Sequence, residues 1–394
     1  MSALCRPKRT RLVTLAVLAC AMATSALAQP RALPPLPELD GAFAVSTLHV
    51  ELSAAGAGSS PLASDNAPAR FTARVFYPAA ATATPAHGLA YLPLLEAVAA
   101  ASNTPEGWQA YRGFRSRSSA RAPFAGGAER RPLIVFIPGR GQHHSSYTML
   151  AEDLASRGYV VAAVDVPAIN VVAHADGDVR FADNALRPPR ELFAGPYAGV
   201  DAFFSAASSY GARLANVAAD EIVRLARSDA DSPLFGHIDA RQRAYVGHSL
   251  GARVAAEACA GDRRCVAAIG VEGVAPPSIR ANGFPRGIRY GIIIAASQPP
   301  GALDNYRAII PNARAAFWLA SIEGGGHNSI TDDPYLSEQN PYAVEPLQGY
   351  RDFRDVALAM LDNWVLGRAT GPPQRSGISI ERHEPSDGNP PARR

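Results

Sequence analysis

The most informative segment of the sequence is Ala244-Tyr-Val-Gly-His-Ser-Leu-Gly-Ala-Arg-Val-Ala-Ala-Glu-Ala258. It predicts an apolar strand, a sharp turn and a helix in immediate succession. The turn at residues 247–251 fits the pattern Gly-x-Ser-x-Gly, whose glycines let neighbouring backbones approach without a Cβ clash. We therefore expect Ser249 to be a nucleophile whose hydroxyl lies at the carboxyl end of the strand. The alternative is a serine that only caps the helix.

Strand and helix patterns alternate on both sides of this turn. Strands are predicted at residues 71–77, 133–137, 159–164, 244–246, 266–269, 290–294 and 315–319, and helices at 145–157, 207–227, 250–259 and 350–366. Continuous apolar runs suit strands that are buried on both faces of a parallel sheet. The alternation predicts one α/β domain over residues 41–369, with a mostly parallel central sheet and helices on both faces.

Three segments depart from this pattern. Residues 29–40 are Pro-rich and predict a loose arm, and the polar residues 370–394 predict a disordered tail. Residues 166–206 predict a small insertion, either a lid or acyl-pocket wall or a cap that shields the core from solvent. The insertion contains five aromatic side chains: Phe181, Phe193, Tyr197, Phe203 and Phe204.

The first 28 residues are typical of a secretory signal peptide. Basic residues come first, an apolar run extends from Leu12 to Ala19, and Ala26-Leu27-Ala28 offers small residues for cleavage. The apolar run is too short for a comfortable membrane span. We therefore expect an exported protein, periplasmic or secreted, without stable membrane insertion. Cys20 follows a weak lipoprotein-like box, so a lipid anchor is the alternative.

Charge gives no indication of a nucleic-acid partner. The formal net charge is +3, but residues 1–28 contain four basic residues and no acidic one. The remaining chain is close to neutral and has no basic stripe of the kind that binds phosphate backbones.

Two cysteines, Cys259 and Cys265, remain after the signal segment. An even pair separated by a short loop in an exported chain predicts a disulfide. The alternative is a pair of unbonded core residues.

A serine nucleophile needs a base that takes its proton. Downstream of Ser249 the sequence has only His327 and His383. His383 lies in the tail predicted to be disordered, whereas His327 follows the last predicted strand in Glu323-Gly-Gly-Gly-His-Asn328. A glycine-rich loop at that place can carry an imidazole to the serine, so we predict His327 as the base.

Three carboxylates compete to orient that imidazole. Glu272 directly follows the strand after the nucleophile helix, which is the best position geometrically. Asp304 lies beyond a Pro-rich loop, and Glu323 is only four residues from His327. We predict Glu272, with Asp304 left open.

The turn after the first buried strand is a second candidate feature of the site. Its sequence is Pro138-Gly-Arg-Gly-Gln142, and the Arg140 amide together with the Leu250 amide could bind an oxyanion. The alternative is an ordinary strand-to-helix turn. His143 and His144 follow, but no carboxylate lies at ligand spacing in the sequence nearby. We interpret them as helix-start or rim residues and predict no metal or other cofactor.

Motifs spread along residues 41–366 resemble the platelet-activating factor acetylhydrolases, the secreted group VII phospholipases, and their bacterial relatives. The resemblance rests on Gly41-Ala-Phe-Ala-Val-Ser46, Arg74-Val-Phe-Tyr-Pro78, Pro132-Leu-Ile-Val-Phe136, Asp153-Leu-Ala-Ser-Arg-Gly-Tyr-Val-Val-Ala-Ala-Val-Asp165 and Gly247-His-Ser-Leu-Gly251. It implies an α/β-hydrolase fold and calcium-independent hydrolysis of carboxylic esters, often with short acyl groups. The family acid and histidine correspond to Glu272 and His327, with glutamate here in place of aspartate.

The resemblance makes the expected partner a small-molecule or lipid ester. A cutinase, polyester hydrolase or lipase, and also an amidase or thioesterase, are alternatives, because a triad does not fix the leaving group. A non-catalytic hydrolase-fold binding protein is the alternative from another class. The sequence does not indicate the oligomeric state.

Overall fold

The computed structural model describes residues 36–80, 88–193, 197–285, 287–299, 301–337 and 340–384. The predicted signal peptide and most of the Pro-rich arm lie outside these residues. The strands are β1 Ala44–Ala54, β2 Ala69–Ala79, β3 Ser119–Ala120, β4 Arg131–Ile137, β5 Val160–Asp165, β6 Val172–Ala173, β7 Val179–Arg180, β8 Ile238–His248, β9 Cys265–Val271, β10 Arg289–Ala295, β11 Phe317–Ile322 and β12 Ile378–His383. The α-helices are α1 Leu95–Ala101, α2 Pro105–Gln109, α3 Thr148–Ser156, α4 Tyr197–Ser228, α5 Leu250–Gly261, α6 Pro277–Asn282, α7 Ala302–Arg307, α8 Asp333–Leu336 and α9 Pro346–Trp364.

Ten of the described strands form one sheet in the order β12-β11-β10-β9-β8-β4-β5-β2-β1-β3. The strands from β11 to β5 in this order pair in parallel. Antiparallel partners flank this block, with β12 beside β11 and β2 beside β5. The carboxyl ends of the parallel strands therefore meet at one edge, where ligand sites of open α/β sheets form.

Alternation along each strand divides the core between the two faces of the sheet. In β4, Leu133, Val135 and Ile137 pack into one apolar cluster, while Ile134 and Phe136 pack into the other. This is the period of two that a pleated strand imposes. Helices α4 and α5 cover the first face, and α3 and α9 cover the second. Both faces are buried, which explains why the sequences of the central strands are continuous apolar runs.

Two predicted segments differ from the structure. Residues 378–383 of the predicted disordered tail form β12, whose Ile378 and Ile380 pack against the core. Residues 385–394 lie outside the described part. The predicted insertion ends earlier than expected, because residues 197–206 form the first turns of α4. The N-terminal part of that insertion contains the short hairpin β6–β7 and two 3-10 turns.

Cys259 near the end of α5 is disulfide-bonded to Cys265 at the start of β9, as predicted. The bond closes the tight connection between the nucleophile helix and the next strand. No helix in the described part of the chain is long and apolar enough to cross a membrane.

Candidate active site

Ser249 occupies a strained turn between β8 and α5. Its φ of 55° and ψ of −121° lie in a region that non-glycine residues rarely adopt, and strain of this kind marks functional turns. The turn is held by the Ser249 amide, which donates to the Val271 carbonyl at 2.8 Å. A Cβ on Gly251 would lie 2.2 Å from the Ile137 carbonyl oxygen, so only glycine allows this close packing of α5 on β4. The strand–turn–helix geometry predicted from the sequence is the one observed.

His327 reaches Ser249 from the loop after β11. Its Nε2 lies 3.1 Å from Ser249 Oγ, within hydrogen-bond distance. The loop is held on both sides of the histidine, because the Gly326 amide donates to Ser329 Oγ at 2.9 Å and the Asn328 amide donates to the Tyr342 hydroxyl at 2.9 Å. A glycine-rich loop is therefore fixed in the position that a general base requires.

Glu272 lies on the other side of the imidazole. Its Oε2 is 3.5 Å from His327 Nδ1, and its side chain is only 7% exposed. Glu272 has a φ of 52°, and its Oε1 accepts a hydrogen bond from the Ala295 amide on β10. Two features therefore fix the carboxylate: the backbone turn at the tip of β9 and an amide of the neighbouring strand.

The competing carboxylates lie elsewhere. Asp304 is in the first turn of α7, and Glu323 follows β11 with its amide bonded to the Gly377 carbonyl at 2.8 Å. Neither has an ion pair with His327 among the residues that the structure describes. Of the two carboxylates that the sequence leaves open, Glu272 is therefore the one that lies beside His327.

Two residues predicted to form an oxyanion site lie at the cavity beside Ser249. In the turn after β4, Gly139 N donates to the Tyr147 hydroxyl at 2.9 Å, and Gly141 N donates to the Ile169 carbonyl at 2.7 Å. Within the described chain, the intervening Arg140 amide and the Leu250 amide have no acceptor. Both residues line the cavity that contains Ser249. Unpaired backbone amides beside a nucleophile are what an oxyanion site needs.

His248, the residue before the nucleophile, was not singled out from the sequence. Its ring is buried. Its Nε2 lies 2.6 Å from the His327 carbonyl oxygen, and its Nδ1 lies 2.7 Å from the Tyr147 hydroxyl oxygen. Burial lowers the pKa of His248 to about 3, so the ring is neutral. Nε2 then donates to the His327 carbonyl, and Nδ1 is left as an acceptor. The Tyr147 hydroxyl contacts both this nitrogen and Oε1 of Gln142, and it has one proton to donate to them. Because Tyr147 also accepts from Gly139, this chain of hydrogen bonds connects the His327 loop to the turn at Arg140. The only sequence signal was the position of His248 inside the elbow.

His143 and His144 lie at the start of a short 3-10 helix, with His143 as its N-cap, so their interpretation as helix-start residues is confirmed. Both are buried, so the alternative of rim residues is wrong. A carboxylate also lies beside them, because the fold brings Asp165 at the end of β5 within 2.5 Å of His144 Nδ1 and 3.3 Å of His143 Nε2. Burial lowers the pKa of His143 to about 3 and raises that of Asp165 to about 6. Among the described residues, these three form the one group with metal-ligand atoms close together. The atoms already bond to one another, and the group fixes the turn that follows β4.

A cavity of about 590 Å³ opens in front of Ser249. Aromatic side chains that were predicted in the insertion form part of its wall: Phe193, Tyr197 and Phe204. Leu250 and Arg253 of α5 also line the cavity, as does a group of residues at and before α7: Gln298, Pro299, Gly301, Ala302, Asn305 and Tyr306. Phe181 packs instead on Trp108, with ring centroids 6.1 Å apart. The start of α4 is thus a wall of the cavity, which the sequence offered as one of two alternatives.

Comparison with known families agrees with this geometry. The model of the alpha/beta hydrolase family matches residues 134–378, more than half of the chain. The chain belongs to the α/β-hydrolase family. Residues 38–168 of this hydrolase also match the family of platelet-activating factor acetylhydrolase, isoform II, as the sequence resemblance implied. The hydrolase is therefore a serine-type carboxylic ester hydrolase of the α/β fold.

A solved structure shares the fold over nearly the whole length. A ferulic acid esterase from Streptomyces cinnamoneus has a TM-score of 0.70 and 22% identity, covering 89% of this chain and 99% of its own. The sequence has no significant match among curated proteins.

Proposed function

We propose that this hydrolase is exported and cleaves carboxylic esters with compact acyl groups through an acyl-enzyme. The observation that carries the mechanism is the alignment of Ser249 Oγ, His327 and Glu272, with separations of 3.1 Å and 3.5 Å. A nucleophile, a base and an orienting carboxylate in this order are the parts that acyl transfer requires.

The proposed reaction has two halves. Ser249 Oγ attacks the ester carbonyl carbon while His327 Nε2 accepts the hydroxyl proton. The resulting oxyanion binds the amides of Arg140 and Leu250, and Glu272 stabilises the imidazolium. His327 then returns the proton to the leaving alcohol, which departs and leaves an acyl group on Ser249. A water molecule, deprotonated by His327, attacks this ester and releases the acid, so that Ser249 regains its proton.

The resemblance to the acetylhydrolases supports a small or truncated acyl group as the substrate. The cavity of about 590 Å³ in front of Ser249 is large enough to hold such a group. The aromatic wall at Phe193, Tyr197 and Phe204 favours a second candidate, an aromatic acyl ester of the kind named for the ferulic acid esterase. Rates on p-nitrophenyl esters of rising chain length, compared with methyl ferulate, separate short-chain, long-chain and aromatic specificity. A preference for chains of ten or more carbons would contradict a compact acyl site.

The nucleophile is tested by fluorophosphonate labelling and ester hydrolysis. Ser249→Ala should lose labelling and retain less than about a thousandth of the activity, because loss of a triad member removes far more than that. Ser278→Ala, at an exposed position of α6, is the matched control and should label normally. Labelling that persists in Ser249→Ala would contradict the assignment.

Export rests on residues 1–28, with their basic start, apolar run and Ala-Leu-Ala site. The disulfide in the structure is consistent with an oxidising compartment. Mass spectrometry of protein expressed with its own N-terminus should give a mature chain that begins near Gln29. A cytoplasmic chain with an intact N-terminus would contradict export, and a diacylglycerol adduct on Cys20 would favour the lipid-anchored alternative.

A further inference from the structure

Arg253 is a buried cation of the cavity that the proposed reaction does not use. It lies one helical turn after Ser249 on α5, so both side chains face the same region. Its side chain is only 4% exposed, yet the residue lines the cavity in front of the nucleophile. A buried arginine beside a reaction site needs either a full set of acceptors in the protein or a ligand that provides them.

The charges around Arg253 do not balance. Its Nη2 lies 2.9 Å from Oδ1 of Asp201 on α4, and Arg280 of α6 lies 2.5 Å from Oδ2 of the same carboxylate. One carboxylate thus faces two guanidinium groups, and the cluster retains one positive charge. A buried charge without a counter-charge is costly, and an anion in the cavity would relieve that cost.

The hydrogen bonds of Arg253 are also incomplete. The Tyr197 side chain interacts with Arg253, but within the described part of the chain the buried Nε and Nη1 have no acceptor at hydrogen-bond distance. The nearby Tyr290 hydroxyl likewise has no partner there. Buried donors are normally bonded, and leaving them unpaired lowers stability. Charge and unpaired donors are independent observations, and both favour an acceptor-bearing, negatively charged occupant.

We propose that the cavity binds esters that carry a carboxylate, with Arg253 as the residue that selects this anionic group. The inference rests on the proposed ester hydrolysis and adds the substrate class. Apolar and aromatic side chains, among them Val200 and Phe204, cover the carbon skeleton, while the carboxylate accepts hydrogen bonds from Arg253. The low dielectric of a site that excludes water strengthens this charged contact.

The test compares two esters that differ only in charge. Mono-p-nitrophenyl glutarate carries a free carboxylate, and its methyl ester is the neutral counterpart of nearly equal size. At about pH 7.5 and low salt, wild-type kcat/KM should favour the charged ester by roughly tenfold or more, as expected for a hydrogen bond to a charged group. Wild type alone can overturn the proposal. It would do so if, in both this substrate pair and the second pair described below, kcat/KM were equal for the two esters or favoured the neutral one.

Two variants break the same ion pair and change the local charge in opposite directions. Arg253→Gln removes the cation and should abolish the preference for the charged ester, whereas Asp201→Asn removes the counter-charge and should increase it. A purely structural role for the pair predicts shifts in the same direction for both variants. Shifts in the same direction would therefore overturn the proposal. Arg241→Gln, at a side chain that is 90% exposed, controls for overall charge and should leave the ratio as in wild type.

A second pair of substrates places the carboxylate on the alcohol side. 4-Acetoxybenzoate and its methyl ester carry the same charge difference in the leaving group. If Arg253→Gln abolishes the preference for the charged ester only in the glutarate pair, the carboxylate belongs to the acyl half of the substrate. If it abolishes that preference only in the benzoate pair, the carboxylate belongs to the alcohol half. Failure of the proposed function itself is distinguishable, because no ester of either pair would then be hydrolysed in a Ser249-dependent way.

Discussion

Glu272→Gln tests the acid of the proposed triad with little change in shape. The buried carboxylate lies 3.5 Å from His327 Nδ1. For two unit charges at this distance, Coulomb's law gives roughly 2 to 5 kcal/mol for effective dielectric constants of about 40 to 20. The lower value applies if solvent screens the pair strongly, since the His327 side chain is 51% exposed. This energy stabilises the imidazolium that forms during the reaction, so its loss should lower kcat/KM by about 50-fold to 3,000-fold.

The assay is kcat/KM on one short neutral ester, measured beside Asp304→Asn as the matched control. Both changes replace a carboxylate by its amide, but only Glu272 lies beside His327, so Asp304→Asn should cost less than about threefold. Circular dichroism and fluorophosphonate labelling would show that the fold and the Ser249 site persist. A nearly normal Glu272→Gln together with a severely impaired Asp304→Asn would contradict Glu272 as the acid and place the acid on α7.

Three further predictions concern stability and metal dependence. Replacing Cys259 and Cys265 by serine should lower the free energy of unfolding by about 2 kcal/mol, because the disulfide closes a loop with a sequence separation of 6 and reduces the entropy of the unfolded chain. Equal denaturant midpoints for the variant and wild type would contradict this. Because folded His248 has a pKa lowered to about 3 while an unfolded imidazole titrates near 6.5, wild type should lose stability as the pH falls through this window. His248→Gln removes that proton uptake. Between pH 7.5 and 4.5, its free energy of unfolding should therefore fall by about 2 to 3 kcal/mol less than that of wild type. Urea unfolding measures this difference, and parallel pH profiles of the two proteins would contradict a neutral His248. Treatment with a chelator should leave kcat/KM unchanged, since the proposed steps use only Ser249, His327 and Glu272, and a loss of activity that a divalent cation restores would contradict that mechanism.

The parts of the site that depend on local sequence could be predicted before the structure was known. The elbow around Ser249 follows from glycine spacing and from the change of apolar periodicity between β8 and α5. His327 follows from elimination and from its glycine-rich loop, and the disulfide follows from two cysteines six positions apart. Each of these signals lies within a few residues of the feature it predicts, which is the range over which backbone propensity acts.

The parts that depend on distant contacts could not be predicted in this way. His248 contacts the His327 carbonyl across 79 positions, and Arg253 contacts Asp201 across 52. Asp165 joins the two buried histidines only because β5 lies beside β4 in the sheet. No sequence window contains both partners of such pairs, so their meeting is fixed only when the sheet register and the helix packing are formed.

Local sequence patterns were enough to predict the parallel α/β core and to propose Ser249 as the nucleophile and His327 as its base. Tertiary contacts place Glu272 rather than Asp304 beside His327, and they add residues 378–383 to the sheet as a strand. The physical reason is that periodicity records which side of an element is buried, but not which other element buries it. Glu272 meets His327 because β9, β10 and β11 lie side by side in parallel, which brings the loops at their carboxyl ends together.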